Sequence, residues 1–106
     1  MRLKLTGTQR DYLRILGHDL QTTFSVGAGG LTNSTLKRLD QALHTQELVK
    51  IRVPFGNRQR REEILETLAP ISNAYLVQRA RNVAVLYRPA RQPIICLPSS
   101  ESERGN

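Results

Sequence analysis

The chain has 106 residues, and its 16 Lys and Arg against nine Asp and Glu give a net charge of +7. That length fits one domain with a modest core, and a hydrophobic share of 39% sets it apart from disordered compositions. A single cysteine, Cys96, excludes an intrachain disulfide, and no run approaches the roughly 18 apolar residues of a membrane span. The opening MRLKLTGTQR lacks the apolar core of a signal peptide, so the expected compartment is the cytoplasm. Thirteen of the 16 cations are arginines. Their planar forks suit phosphate and carboxylate, which makes nucleic acid the first expectation for a partner.

The first helix is predicted to start at Thr6, with Gln9 at the capping-box spacing. Tyr12, Leu13, Leu16 and Leu20 then recur at helical spacing as one apolar stripe, with Arg10, Arg14 and His18 on the other side. Gly17 is expected to weaken this helix slightly. Thr23 to Val26 alternates like a strand. After it comes Gly27-Ala28-Gly29-Gly30, and then Thr32 as the cap of a second helix whose inner side is Leu36, Leu39 and Leu43. Leu48 to Val53 is the next strand, with Val49, Ile51 and Val53 facing inward. A third helix is predicted from Arg58 to Ala69, ended by Pro70, with Ile64, Leu65 and Leu68 inward and Glu62, Glu63 and Glu66 outward. Tyr75 to Arg79 and Val83 to Arg88 form a hairpin. The run Ile94-Ile95-Cys96-Leu97 is short and flanked by prolines, and residues 99–106 are a polar tail beyond a domain of residues 1–98. The order α-β-α-β-α-β-β predicts a single α/β domain with helices packed on one mixed sheet.

No catalytic constellation stands out. His18 and His44 are lone helical histidines, and no Cys/His group has zinc spacing. Glu62, Glu63 and Glu66 look like a solvated helix face, and Cys96 looks like a small hydrophobe. The strand between the first two helices argues against a helix-turn-helix DNA reader. The glycine loop has neither Walker nor dinucleotide spacing. Gly27-Ala28-Gly29-Gly30 is a Gly-x-x-Gly that opens into a helix N-terminus. Glycines permit close backbone approach, the first helical turn offers partial positive charge, and Lys37 and Arg38 add full charges. KH modules clamp a nucleic-acid backbone with such a loop. A ligand-free glycine turn fits the same residues. Arg10 and Arg14 are expected to extend the basic surface, while the glutamates of the third helix are expected to turn it away from a polyanion.

Four segments in register then resemble a known family. "LTGTQRDYLRILGHDL", "VGAGGLT", "LDQAL…ELVKIRV" and "LVQRARNVAVLYRP" follow the pattern of the CRM domain, in particular the small stand-alone YhbY-like proteins of bacteria. The resemblance covers Leu3 to Pro89. It implies a four-stranded mixed sheet like that of the C-terminal domain of bacterial translation initiation factor three. It also implies RNA binding through Gly27, Ala28, Gly29 and Gly30, association with precursor large ribosomal subunits, and neither cofactor nor catalytic activity.

Ala28 stands where relatives carry a cation, so the loop is expected to work as a backbone cradle. Arg79 and Arg81 are possible replacements for the missing charge, and Asn82 is expected to take the left-handed conformation at a hairpin turn that lacks the family's glycine. Arg88 is a further candidate contact, and Tyr87 a candidate for base stacking that also fits a strand core. A monomer without membrane attachment is expected. The alternative to RNA binding is docking onto an acidic ribosomal or assembly protein.

Overall fold

Thr6 starts the first helix as its spacing predicts. In the computed structural model, which describes residues 5–27, 29–54 and 56–98, the Thr6 hydroxyl accepts from the Gln9 N–H and the Gln9 side chain accepts from the Thr6 N–H, both at 3.1 Å. This reciprocal cap stabilises the start of α1 (Gly7–Asp19) by about 1 kcal/mol. The buried line of α1 is narrower than the sequence stripe. Leu13 and Gly17 are buried, whereas Tyr12 and Leu16 are 37% and 36% exposed. The reason lies at Gly17, where a Cβ would stand 2.9 Å from a Val85 methyl. The helix therefore meets the sheet along Leu13, Gly17 and Leu20, one turn apart, and Gly17 is there for close approach.

Strand β1 (Phe24–Ser25) pairs in parallel with β2 (Leu48–Arg52), Phe24 opposite Ile51. The Thr23 and Val26 N–H groups extend this pairing by donating to the Lys50 and Arg52 carbonyls. A parallel pair needs a crossover, which α2 (Asn33–Gln46) supplies. Helix α3 (Arg58–Ser72) leads into the hairpin of β3 (Tyr75–Ala80) and β4 (Val83–Tyr87), and β4 pairs antiparallel with β2. The sheet order is β1-β2-β4-β3, the mixed four-stranded sheet that the element order predicts.

Strand alternation assigns the two faces of the sheet. Val49, Ile51, Val53, Ala84 and Leu86 pack with Leu39 and Leu43 of α2 and Ile64, Leu65 and Leu68 of α3. Leu48, Val77, Val85 and Tyr87 point to the other side and pack with Leu13 of α1, with Leu20, Ile95 and Leu97 closing the edges. So α2 and α3 share one face, and α1 has the other with the segment after β4.

Three local expectations give way. Pro70 does not end α3, which runs one further turn to Ser72. A proline this close to the C-terminus forfeits only one hydrogen bond, and the Ser72 hydroxyl donates to the Leu68 carbonyl at 2.6 Å. The stop comes from Asn73 at φ 55°, with the Ala74 N–H returning to the Ala69 carbonyl. Asn82 does not take the left-handed conformation: among the described non-glycine residues only Glu47 and Asn73 have positive φ. Its carbonyl accepts from the Val53 N–H at 2.7 Å, which fixes the hairpin turn against the end of β2. Cys96, expected as a small hydrophobe, is exposed, because Ile95 and Leu97 on either side of it are the residues that turn to the sheet.

The segment after β4 is held by a residue with no sequence signal. Glu47 is fully buried, and its carboxylate accepts from the Ala90 N–H at 2.6 Å, the Ile94 N–H at 2.9 Å and the Ile95 N–H at 2.7 Å. Tyr87 is 1% exposed, so its ring belongs to the core and is not presented to a base. Burial, and secondarily the Glu47 charge, push the Tyr87 hydroxyl above its ordinary value of 10.0. Since the unfolded chain loses this proton first, the stability is intact below pH 10 and falls as pH rises through and beyond that value. Alkaline melts should show this fall, and Tyr87→Phe should flatten it.

Candidate nucleic-acid interface

The two ends of the glycine loop are tied by hydrogen bonds. The Gly30 N–H donates to the Gly27 carbonyl at 2.9 Å, and the Gly30 carbonyl accepts from the Thr32 N–H at 3.0 Å and the Thr35 hydroxyl at 3.2 Å. Thr32 caps α2 as its position predicts, its hydroxyl accepting from the Thr35 N–H at 3.2 Å. One threonine pair thus ties the loop to the helix start.

The three glycines have different reasons to be glycine. Gly30 has φ +74°, a conformation that side chains resist. A Cβ on Gly29 would press to 3.2 Å from a Thr32 methyl. A Cβ on Gly27 would meet nothing within 4 Å. The fold needs glycine at position 30 and favours it at 29, while position 27 opens outward. Ala28, the second position of the motif, lies outside the described residues.

The two helices next to this turn both carry cations. Lys37 and Arg38 are exposed on α2. The Arg38 guanidinium lies 4.7 Å from the centroid of the Phe24 ring, so a cation–π contact holds it at the β1 edge just before the loop. Arg60 of α3 is the unforeseen one: its guanidinium lies 3.6 Å from the place a Gly30 Cβ would take. Gly29, Gly30 and Leu31 on one side and Arg60, Glu63, Ile64 and Thr67 on the other enclose an open groove of about 300 Å³.

Helix α3 therefore does not turn away from the loop. The glutamates part ways around the helix. Glu62 pairs with Arg79 on β3, and that hydrogen bond holds its carboxyl below the usual range, whereas Glu63 lines the groove. Arg79, expected as a possible substitute for loop charge, is thus engaged at the far sheet edge. The sequence signal that could have found Arg60 is the run Arg58, Arg60, Arg61 at the start of α3, which has no acidic residue in its first turn. Cations there oppose the helix dipole, so local helix stability does not account for them.

The remaining candidates lie elsewhere. Arg10 and Arg14 belong to α1, across the sheet from α2 and α3. Arg10 donates to the Leu76 carbonyl at 3.0 Å, on the strand farthest from β1, and Arg14 pairs with Asp11 at 3.3 Å. They do not continue the loop surface. Arg88 donates to the Ser72 carbonyl at 2.9 Å and the Asp40 carbonyl at 3.1 Å and pairs with the Asp40 carboxylate at 2.9 Å. It clamps α2 to the end of α3. Among the described residues no group of three or more His, Cys, Asp or Glu could hold a metal ion, and no helix is long and apolar enough to cross a membrane.

A four-stranded mixed sheet, helices on both faces and a Gly-x-x-Gly turn at a helix start define a class of small α/β domains. Residues 5–88 match the model of the CRS1 / YhbY (CRM) domain. The chain is 34% identical over 88 residues to "Probable RNA-binding protein YqeI" of Bacillus subtilis (strain 168), covering 83% of this chain and 92% of that one. It is 32% identical over 94 residues to a protein of Haemophilus influenzae named "RNA-binding protein", covering 89% and 95%. Among solved structures, that of the hypothetical protein SAV1595 from Staphylococcus aureus superposes with a TM-score of 0.73 at 35% identity, over 90% of this chain and all of that one. The chain belongs to the CRS1/YhbY (CRM) domain family.

Proposed function

We propose that the chain is a non-enzymatic RNA-binding protein that grips the phosphate backbone at Gly27–Gly30 and acts on precursor large ribosomal subunits in the cytoplasm. The observation that carries the RNA contact is the opening at Gly27. The fold leaves that position free of any side-chain clash, so glycine there serves an approach from outside, beside the cations Lys37, Arg38 and Arg60. The names of the Bacillus and Haemophilus relatives support RNA as the ligand. The ribosomal target rests on the likeness to the YhbY-like proteins. In this reading Lys37 and Arg38 are direct phosphate contacts, Arg10 and Arg14 belong to a second surface on α1, and Arg88 supports the interface by joining α2 to α3.

Affinity for RNA at several salt concentrations tests the phosphate contact. Each phosphate neutralised on a single strand adds about 0.7 to the steepness of the log–log salt dependence. Contacts from Lys37, Arg38 and Arg60 should together give a slope of about −2. Binding that is flat with salt would contradict the reading. Association with ribosomal or assembly proteins that survives nuclease treatment would instead favour docking onto an acidic protein.

A further inference from the structure

The groove beside the loop has a composition that phosphate binding does not explain. Its lining includes Leu31 and the buried Ile64, and the acidic Glu63 one turn from Arg60. A carboxylate repels phosphate, so backbone contact alone gives Glu63 no purpose there. The Thr67 hydroxyl, the other side-chain donor on that stretch of α3, is already spent on the Glu63 carbonyl at 2.7 Å. The arrangement is that of a shallow, open cleft in which the apolar surface of Leu31 and Ile64 lies beside polar groups that can fix a ligand's orientation. At about 300 Å³ it lies at the small end of such clefts.

We propose that this groove holds one unstacked guanine base of single-stranded RNA, its Watson–Crick edge read by the carboxylate of Glu63. The proposal rests on the RNA reading above and adds a source of sequence preference to it. Phosphate contacts position a strand, whereas base edges specify it. A ribose next to the loop-bound phosphate would place its base over Gly29 and Gly30, into the groove. An ionised carboxylate only accepts hydrogen bonds. Guanine alone presents two adjacent donors, the N1–H and the exocyclic amine, with no intervening acceptor. Adenine and cytosine set a ring-nitrogen acceptor beside their amine, and uracil has a single donor between two carbonyls. Leu31 and Ile64 would meet the faces of the base, and the Arg60 positive charge would lie near the flanking phosphate.

The test is fluorescence anisotropy with a short oligouridine and its variants carrying one central guanosine, adenosine or cytidine. The wild-type protein should bind the guanosine probe about tenfold tighter than the others, the discrimination typical of one bidentate base contact. Glu63→Gln replaces two acceptors by one acceptor and one donor on an exposed helical site. It should lose the guanosine preference and gain affinity for the adenosine and cytidine probes, a change of ranking that a structural role for Glu63 would not produce. Equal, salt-dependent binding of all four probes by the wild type would overturn the guanine pocket and leave the RNA reading standing. A uniform rise for all probes in Glu63→Gln would overturn it too, showing the carboxylate as a repelling charge only. Failure to bind any of the probes would overturn the pocket and the RNA reading together.

Discussion

Glu47→Gln should destabilise the domain by about 3 kcal/mol, or roughly 15 °C in melting temperature for a chain of this size. The carboxylate of Glu47 is wholly buried and its partners are backbone N–H groups of Ala90, Ile94 and Ile95. Backbone donors cannot withdraw when the acceptor changes. A glutamine must turn its amide nitrogen toward at least one of them, leaving a buried donor unpaired at a cost of about 1–3 kcal/mol. The other bonds lose their charge assistance as well. Buried charges often contribute little net stability when a cation partner can be removed with them, but here the donors stay. Amide hydrogen exchange at Ala90, Ile94 and Ile95 should speed up first, since Glu47 fastens the segment that carries Ile95 and Leu97 onto the α1 face of the sheet. An unchanged melting temperature with unchanged exchange at these three amides would show that the carboxylate is not the anchor.

Glu47 also marks where sequence reasoning stops. In "QELVK" it reads as a polar residue before a strand, and no periodicity signals that it is buried. Its role depends on residues more than 40 positions away meeting it in space. The positive φ of 66° at the junction of α2 and β2 is equally silent, since no glycine or asparagine advertises it. By contrast, caps at Thr6 and Thr32 and the inward rows of β2 depend on neighbours a few residues apart, and the pattern contains them. Local chemistry is legible for that reason. The width of the α1 stripe was not, because the closest approach to the sheet is set by Gly17 against Val85, a contact between distant segments.

The candidate site divides along the same line. The Gly-x-x-Gly turn, the α2 cap and the cations of α2 are contiguous in sequence and were visible there. Arg60 and the groove arise only when α3 packs beside the loop. Charge counted along α3 pointed the other way, since a helical face holds every third or fourth residue and the wheel does not say which face a neighbour will meet. Arg10 and Arg14, grouped with the loop by sign of charge, are separated from it by the sheet itself.

The second large effect is on binding. Substitution at Gly30 would confound fold and function, because its φ of +74° penalises any side chain. Gly27 is the clean position: a Cβ there meets nothing within 4 Å. An aspartate at that place keeps the turn and sets a negative charge where the backbone of the ligand is to lie. At about 4 Å the repulsion of one phosphate near a protein surface is about 4 kcal/mol, so affinity should fall at least tenfold and the melting temperature should hold. The measurement that decides the central claim is therefore the RNA affinity of Gly27→Asp, taken beside its melting curve. A folded variant that binds at least tenfold more weakly is the predicted result, and a folded variant with wild-type affinity would contradict the loop as the RNA contact.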